Sequence, residues 1–263
     1  MPHRSRTLLL CVYAVLAVLI FSLLACSISK KNLVFEQITS FDTQVHEIVE
    51  NTSSITGARV FYFFTNLANK EVVAIALIAL TLLLLVLGEK VLAVLFIIGT
   101  FTSVFASTYF KILFLRVRPT TEFVVITQGG YAFPSGHSIL AMMFYGFIGY
   151  ILVHSARHVW QKYLITAITA ATIFLIGISR VYLGVHWASD VVAGWLLGSV
   201  ILIVLMFIFR HFHTKDDITI HLAWGWRLAV SITIVIALVC VISYFYVTQA
   251  VEFRSIMDSV PIQ

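Results

Sequence analysis

The stretch Ser179-Arg180-Val181-Tyr182-Leu183-Gly184-Val185-His186-Trp187-Ala188-Ser189-Asp190 stands between two apolar runs, at 161–179 and 187–209. Each run is long enough to cross a bilayer core about 30 Å thick, which takes roughly 20 apolar residues. An Arg, a His and an Asp between two such runs are costly near hydrocarbon, and charges placed there mark function. Two further polar stretches sit the same way at the ends of apolar runs: Lys111-Ile-Leu-Phe-Leu-Arg116-Val-Arg118-Pro119 and Pro134-Ser135-Gly136-His137.

The whole chain fits a membrane setting. Its 263 residues are 60% hydrophobic and 11% charged, and the mean hydropathy is +1.01, where soluble proteins average about 25% charged. Seven membrane-length runs are expected, near 7–28, 60–87, 91–112, 136–154, 161–179, 187–209 and 225–247. The fold class is therefore all-α, a polytopic membrane helical bundle. Residues 1–209 form a six-helix membrane domain with the polar motifs inside 111–190. Residues 210–263 supply a cytoplasmic loop, an extra seventh transmembrane helix and a short outer tail. The longest polar interval, about 29–59, is too short for a core of its own.

The net charge of +5 suits an anionic membrane surface and the enrichment of Lys and Arg in cytoplasmic loops. Nucleic-acid binding would need a basic face outside the membrane, and none is written here. Cys11, Cys26 and Cys240 all fall inside apolar runs, which gives neither a disulfide framework nor a metal spacing. Leu23-Leu24-Ala25-Cys26 has the look of a lipoprotein signal. The run containing it exceeds the 7–15 residues of a signal core, so it reads as an uncleaved first helix.

Arg4 and Arg6 precede the first run, placing the N-terminus in the cytoplasm of a multi-pass cell-membrane protein. Counting spans then puts the intervals 29–59, 113–135 and 180–186 outside, with all three motifs among them. Arg157, His158, Lys162, Arg210 and Lys215 fall inside, as the positive-inside bias requires. Lys111, Arg116 and Arg118 run against that bias, so another demand holds them there. Within 29–59, Phe41, Val45, Ile48 and Val49 recur at helical spacing among Asp42, Glu47 and Glu50, the pattern of a short amphipathic helix on the outer interface.

Each motif has an anion-binding reading. Lys111 and Arg118 are seven residues apart, about two turns, and share a face if the helix reaches that far; Pro119 stops it. Arg118 can grip a phosphate bidentately. Pro134 and Ser135 suit a helix start, Gly136 admits close approach of a ligand, and unpaired N–H groups at the positive end of the helix dipole make an anion seat. His137 at that seat can donate a proton to a leaving oxygen. His186 and Asp190 are spaced i, i+4, so the carboxylate can hold one imidazole nitrogen and leave the other as nucleophile. Arg180 adds a third cation. Gly194 and Gly198 continue the stripe and imply a close helix–helix contact.

The order Lys-x6-Arg-Pro, Pro-Ser-Gly-His, Ser-Arg-x5-His-x3-Asp resembles the type 2 phosphatidic acid phosphatase (PAP2) family, relatives of the vanadium haloperoxidases. The wider pattern over roughly 7–209, with an outer segment containing Phe41-Asp42, is similar to the bacterial membrane members. The resemblance implies a six-helix PAP2-like core and a metal-independent lipid phosphatase. In it His186 attacks phosphorus to form a phosphohistidine, Asp190 orients His186, and His137 protonates the leaving oxygen. Lys111, Arg118, Arg180, Ser135 and the Gly136 amide hold the phosphate. No cofactor, metal or obligatory protein partner is implied; the partners are the bilayer and a membrane lipid phosphate. Arg116 and Glu122 are expected to shape substrate choice. The substrates the resemblance implies are undecaprenyl diphosphate, phosphatidylglycerol phosphate and phosphatidic acid. A lipid phosphotransferase is an alternative using the same residues. A small polytopic transporter would carry its polar groups near the bilayer midplane, whereas these spans are polar at one rim. His154, His158, His211, His213 and His221 fall on the cytoplasmic side, away from the motifs.

Overall fold

A computed structural model of the chain describes residues 3–30, 32–120 and 128–212. The elements are α1 (His3–Lys30), α2 (Leu33–Thr52), α3 (Ile55–Asn66), α4 (Lys70–Val86), α5 (Lys90–Phe114), α6 (Gly136–Ser155), α7 (Val159–Tyr182) and α8 (Ala188–Phe212). Five of them are long and apolar enough to cross a membrane, and the α3–α4 pair brings the number to six. Exposed Leu8 and Leu19 on α1, and Phe105 and Ile112 on α5, form a surface suited to hydrocarbon. The protein is an all-helical, multi-pass membrane bundle. The expected seventh helix at 225–247, together with Cys240, His213 and His221, lies outside the described residues.

Short polar residues start the helices near the site. Asn32 accepts from the Phe35 amide, Ser54 from the Gly57 amide and Asn69 from the Lys70 amide, each satisfying a donor that a helix start leaves without an internal partner. The expected continuous run at 60–87 is interrupted. α3 stops at Asn66, α4 starts at Lys70, and their axes are bent by 40°. The stretch Thr65-Asn66-Leu67-Ala68-Asn69-Lys70-Glu71 interrupts the hydrophobicity of the run and marks the stop. The amphipathic helix expected around 41–50 extends over all of α2, and its sides differ from the expectation. Phe41 and Ile48 are exposed, while Asp42 is buried.

α6 is the central helix, packed on α8, α7 and α5. At the end remote from the motifs, Phe96 stacks on Phe147 with centroids 5.4 Å apart, within a cluster that includes Leu92, Met143, Phe144, Leu205 and Phe209. At the motif end, Phe133 packs with Phe21 and Ala25 of α1 and Ala193 of α8. α3 lies over the α7–α8 connection, where Ala58 meets Leu183 and Val185.

The expected glycine contact is present. A Cβ on Gly194 would lie 2.7 Å from the Ser135 carbonyl oxygen, and one on Gly198 would lie 2.5 Å from the Ile139 carbonyl oxygen. Backbone cannot swing aside as a side chain can, so any Cβ there separates α6 from α8. Gly198→Ala is expected to destabilise the bundle by about 1–3 kcal/mol, the usual cost of overpacking. A thermal unfolding midpoint in detergent micelles equal to that of the unsubstituted protein would contradict this close packing.

Candidate functional site

The three motifs meet at one end of the bundle, and local backbone devices bring them together. α5 ends at Phe114, and Leu115 turns left-handed with φ 50°, its amide bonding to the Lys111 carbonyl. Lys111 and Arg118 thus do not share a helix face, as their spacing implied. A non-glycine residue at positive φ is uncommon; here it turns the chain so that Arg118 returns across the site. The Ala132 amide then bonds to the Arg116 carbonyl at 2.8 Å, and the Ser135 amide to the Asp190 carbonyl at 3.0 Å. That second bond ties the start of α6 directly to the start of α8.

Arg118 is surrounded by carbonyl groups. Its Nη1 donates to the Val185 oxygen at 2.5 Å, Nη2 to the Tyr131 oxygen at 3.0 Å, and Nε to the Gly130 oxygen at 3.1 Å. The same Nη1 lies 3.2 Å from His186 Nε2. A guanidinium has no lone pair to offer, so Nε2 is the acceptor and the imidazole proton sits on Nδ1. Nδ1 faces Asp190 Oδ2 at 3.5 Å, but makes no hydrogen bond. The pair is in register but loose.

Arg180 is 2% exposed. Its Nη1 donates to Thr65 Oγ1 at 2.5 Å and its Nη2 to Gln128 Oε1, while Nε is buried with no partner. The Arg180 carbonyl also receives the Val185 and His186 amides at 3.2 and 3.1 Å, so one residue supplies a cation and fixes the backbone of the histidine. Gly136 packs beneath Ser107, and a Cβ on it would lie 4.0 Å from Lys111 Nζ. Ser135 is fully buried and accepts from Ser138 Oγ at 3.0 Å. With its amide committed to Asp190, only its own hydroxyl proton remains for a ligand.

His137, Gly136, Arg180 and Gln128 line a cleft of about 730 Å³. The cleft is also lined by Val73 and Leu77 of α4, Phe101 and Val104 of α5 and Leu140 of α6, with Asn69 and Lys70 at the α3–α4 break. A second, almost wholly apolar cavity of about 480 Å³ lies between α6, α7 and α8. His154 borders it, with its Nδ1 on the Tyr150 carbonyl at 2.8 Å, remote from the motifs.

Arg116 is turned away from the cleft, onto Asp190 at 2.5 Å and Asp42 at 2.6 Å. Glu122 lies outside the described residues. Asp42 is the contributor that residue-by-residue reading missed. Its signal was an acidic residue beside Phe41 on an amphipathic helix, and such residues usually face water.

The fold and the site together define a class: a polytopic helical membrane bundle with buried cations gathered at one rim. The sequence profile of the PAP2 superfamily matches residues 90–215, just under half of the 263 residues. Phosphatidylglycerophosphatase B from Bacillus subtilis is 39% identical over 105 residues, which cover 38% of this chain and 47% of that protein. The chain thus spans about half the length of that relative. Undecaprenyl-diphosphatase from Sulfolobus acidocaldarius is 28% identical over 187 residues, covering 69% of this chain and 85% of that one. The crystal structure of the transmembrane PAP2-type phosphatidylglycerolphosphate phosphatase from Bacillus subtilis has the same fold, with a TM-score of 0.63. It shares 24% identity with this chain and covers 76% of it and 97% of the solved chain.

Burial first, then the charges of Arg180, Arg118 and Lys111, hold the His186 imidazole well below its ordinary range. Burial likewise lowers Arg118, against the opposing pull of Asp190. Since the shift on His186 is downward, the ring stays neutral as pH falls through about 6.5, the ordinary histidine value, and gains its proton only in more acid solution. Imidazole NMR of ligand-free protein, with the His186 signal identified by its loss in His186→Gln, checks this. A midpoint at or above the ordinary value would contradict it.

Proposed function

We propose that the chain is an integral membrane lipid phosphatase that works through a phosphohistidine. One observation carries this reading: a neutral His186 has its Nε2 lone pair held 3.2 Å from Arg118, at a cationic site beside a cleft lined in part by apolar residues of α4, α5 and α6. The phosphate would occupy the cationic end while the lipid chain stays between α4 and α5. Phosphoryl transfer depends mainly on positioning and charge stabilisation, and Lys111, Arg118 and Arg180 supply both.

The phosphate dianion takes Arg118 from His186 and exposes the lone pair of Nε2. Nε2 attacks phosphorus, the bond from phosphorus to the lipid oxygen breaks, and His137 gives that oxygen a proton. Asp190 steadies the proton on Nδ1 while the ring carries phosphate. Water, yielding a proton to His137, then attacks phosphorus, inorganic phosphate leaves, and His186 is restored. General acid help of this kind is worth roughly 10²–10⁴ in rate.

Two of the expected substrates agree with the names of the relatives, a phosphatidylglycerophosphatase and an undecaprenyl-diphosphatase. An outward-facing site is supported by charge. Arg157, Lys162 and Arg210 lie at the end of the bundle opposite the motifs, where a cytoplasmic face collects cations. Residues 1–209 form the catalytic domain in this reading, with 210–263 as an appended segment.

His186→Ala is expected to abolish phosphate release, and Asp190→Asn to leave a small remainder. Purified protein is assayed against polyprenyl diphosphate, phosphatidylglycerol phosphate and phosphatidic acid. Near-normal release by His186→Ala would sink the mechanism. Recovery of radiolabelled phosphate on a second lipid, with none in water, would replace the hydrolase by a phosphotransferase.

A further inference from the structure

Asp42 belongs to α2, whose Glu36 and Glu47 are exposed, yet its own carboxylate is 1% exposed. Oδ1 accepts from the Ser189 amide at 2.9 Å. Oδ2 accepts from Ser189 Oγ at 2.5 Å and from Arg116 Nη2 at 2.6 Å. The other guanidinium nitrogen, Nη1, donates to Asp190 Oδ1 at 2.5 Å and to Ser189 Oγ at 2.7 Å. Asp190 Oδ2 receives the Trp187 amide at 2.9 Å and faces His186 Nδ1 at 3.5 Å.

Left to one carboxylate, an arginine takes both oxygens in a bidentate pair. Such a pair on Asp190 would draw Oδ2 away from Trp187 and His186. Asp42 occupies Nη2, so only Nη1 reaches Asp190, and it reaches Oδ1 alone. The second oxygen is left to the histidine. α2 is also fastened at the same place by His46, whose Nε2 lies 3.0 Å from the Thr120 carbonyl and whose ring meets Trp187 edge-on at 5.6 Å.

We infer that Asp42 is a positioning residue for the reaction: through Arg116 it fixes which oxygen of Asp190 faces His186, so that α2 completes the nucleophile. The inference rests on the phosphatase reading. A carboxylate that merely fastens α2 would hold the roof of the bundle and leave the chemistry indifferent to it.

The test is a double-mutant cycle on the full-length protein in detergent, with a short-chain lipid phosphate as substrate. Asp42→Asn is expected to lower kcat about tenfold or more, the scale of coupling within one buried network. KM should stay within about twofold, since uniform substrate binding is untouched. In an Asp190→Asn background, the same substitution is expected to cost nothing further. Arg116→Lys, which cannot hold two carboxylates with two nitrogens, should behave in the same way and serves if Asp42→Asn does not fold. An equal loss in both backgrounds, a rise in KM alone, or unchanged kcat overturns the role of Asp42. Wild-type protein that releases no phosphate from any lipid overturns the phosphatase reading instead.

Discussion

Positive charge buried at a membrane rim needs acceptors, and the kind of acceptor decides what each cation can do. Arg116 lies between two carboxylates, Asp42 and Asp190, so its charge is answered within the protein. Arg118 is held by carbonyl oxygens, and Arg180 by a threonine hydroxyl and a glutamine amide. Neutral dipoles orient a guanidinium without cancelling its charge. The site therefore keeps two arginines whose field is unspent, and burial together with that field holds His186 neutral. An anion entering the cleft finds fixed donors that need little rearrangement, which is the condition under which electrostatic stabilisation is strongest.

The helices α2 and α3 do for the connecting loops what spans alone could not. The α7–α8 connection carries the histidine, yet it has few residues of its own to pack. α3 covers it through Ala58, Leu183 and Val185, and the Ser54 amide donates to the Tyr182 hydroxyl at 3.1 Å. α2 covers the adjoining side through Asp42 and His46. Polar groups buried this close to hydrocarbon are costly without partners, and the roof supplies partners that water would otherwise provide.

Much of this was legible in the chain. Apolar runs fixed the spans because the bilayer demands a minimum length. Gly194 and Gly198 announced the α6–α8 contact because only small residues permit it. The order of Lys111, His137, Arg180, His186 and Asp190 announced the cluster of polar groups at one end of the bundle. Three features were missed. The stop at Asn66 is written in Thr65, Asn66, Asn69, Lys70 and Glu71, which the reading of one continuous span passed over. The left-handed Leu115 replaces helical periodicity as the device that returns Arg118. Asp42 has buried partners far away in sequence, and amphipathic patterning assigned it to water. Only this last cause is a tertiary contact, which local propensity does not encode.

The link between Ser189 and Asp42 joins residues 147 positions apart. Chains are made from the N-terminus, so α2 and the arginine after α5 reach the bilayer long before α8 exists. Until then Asp42 and Arg116 have only each other, and neither Asp190 nor its histidine is in place. The buried network is thus incomplete in every partly inserted chain. It closes only once α8 is in place, joining charges that entered the bilayer near the start of synthesis.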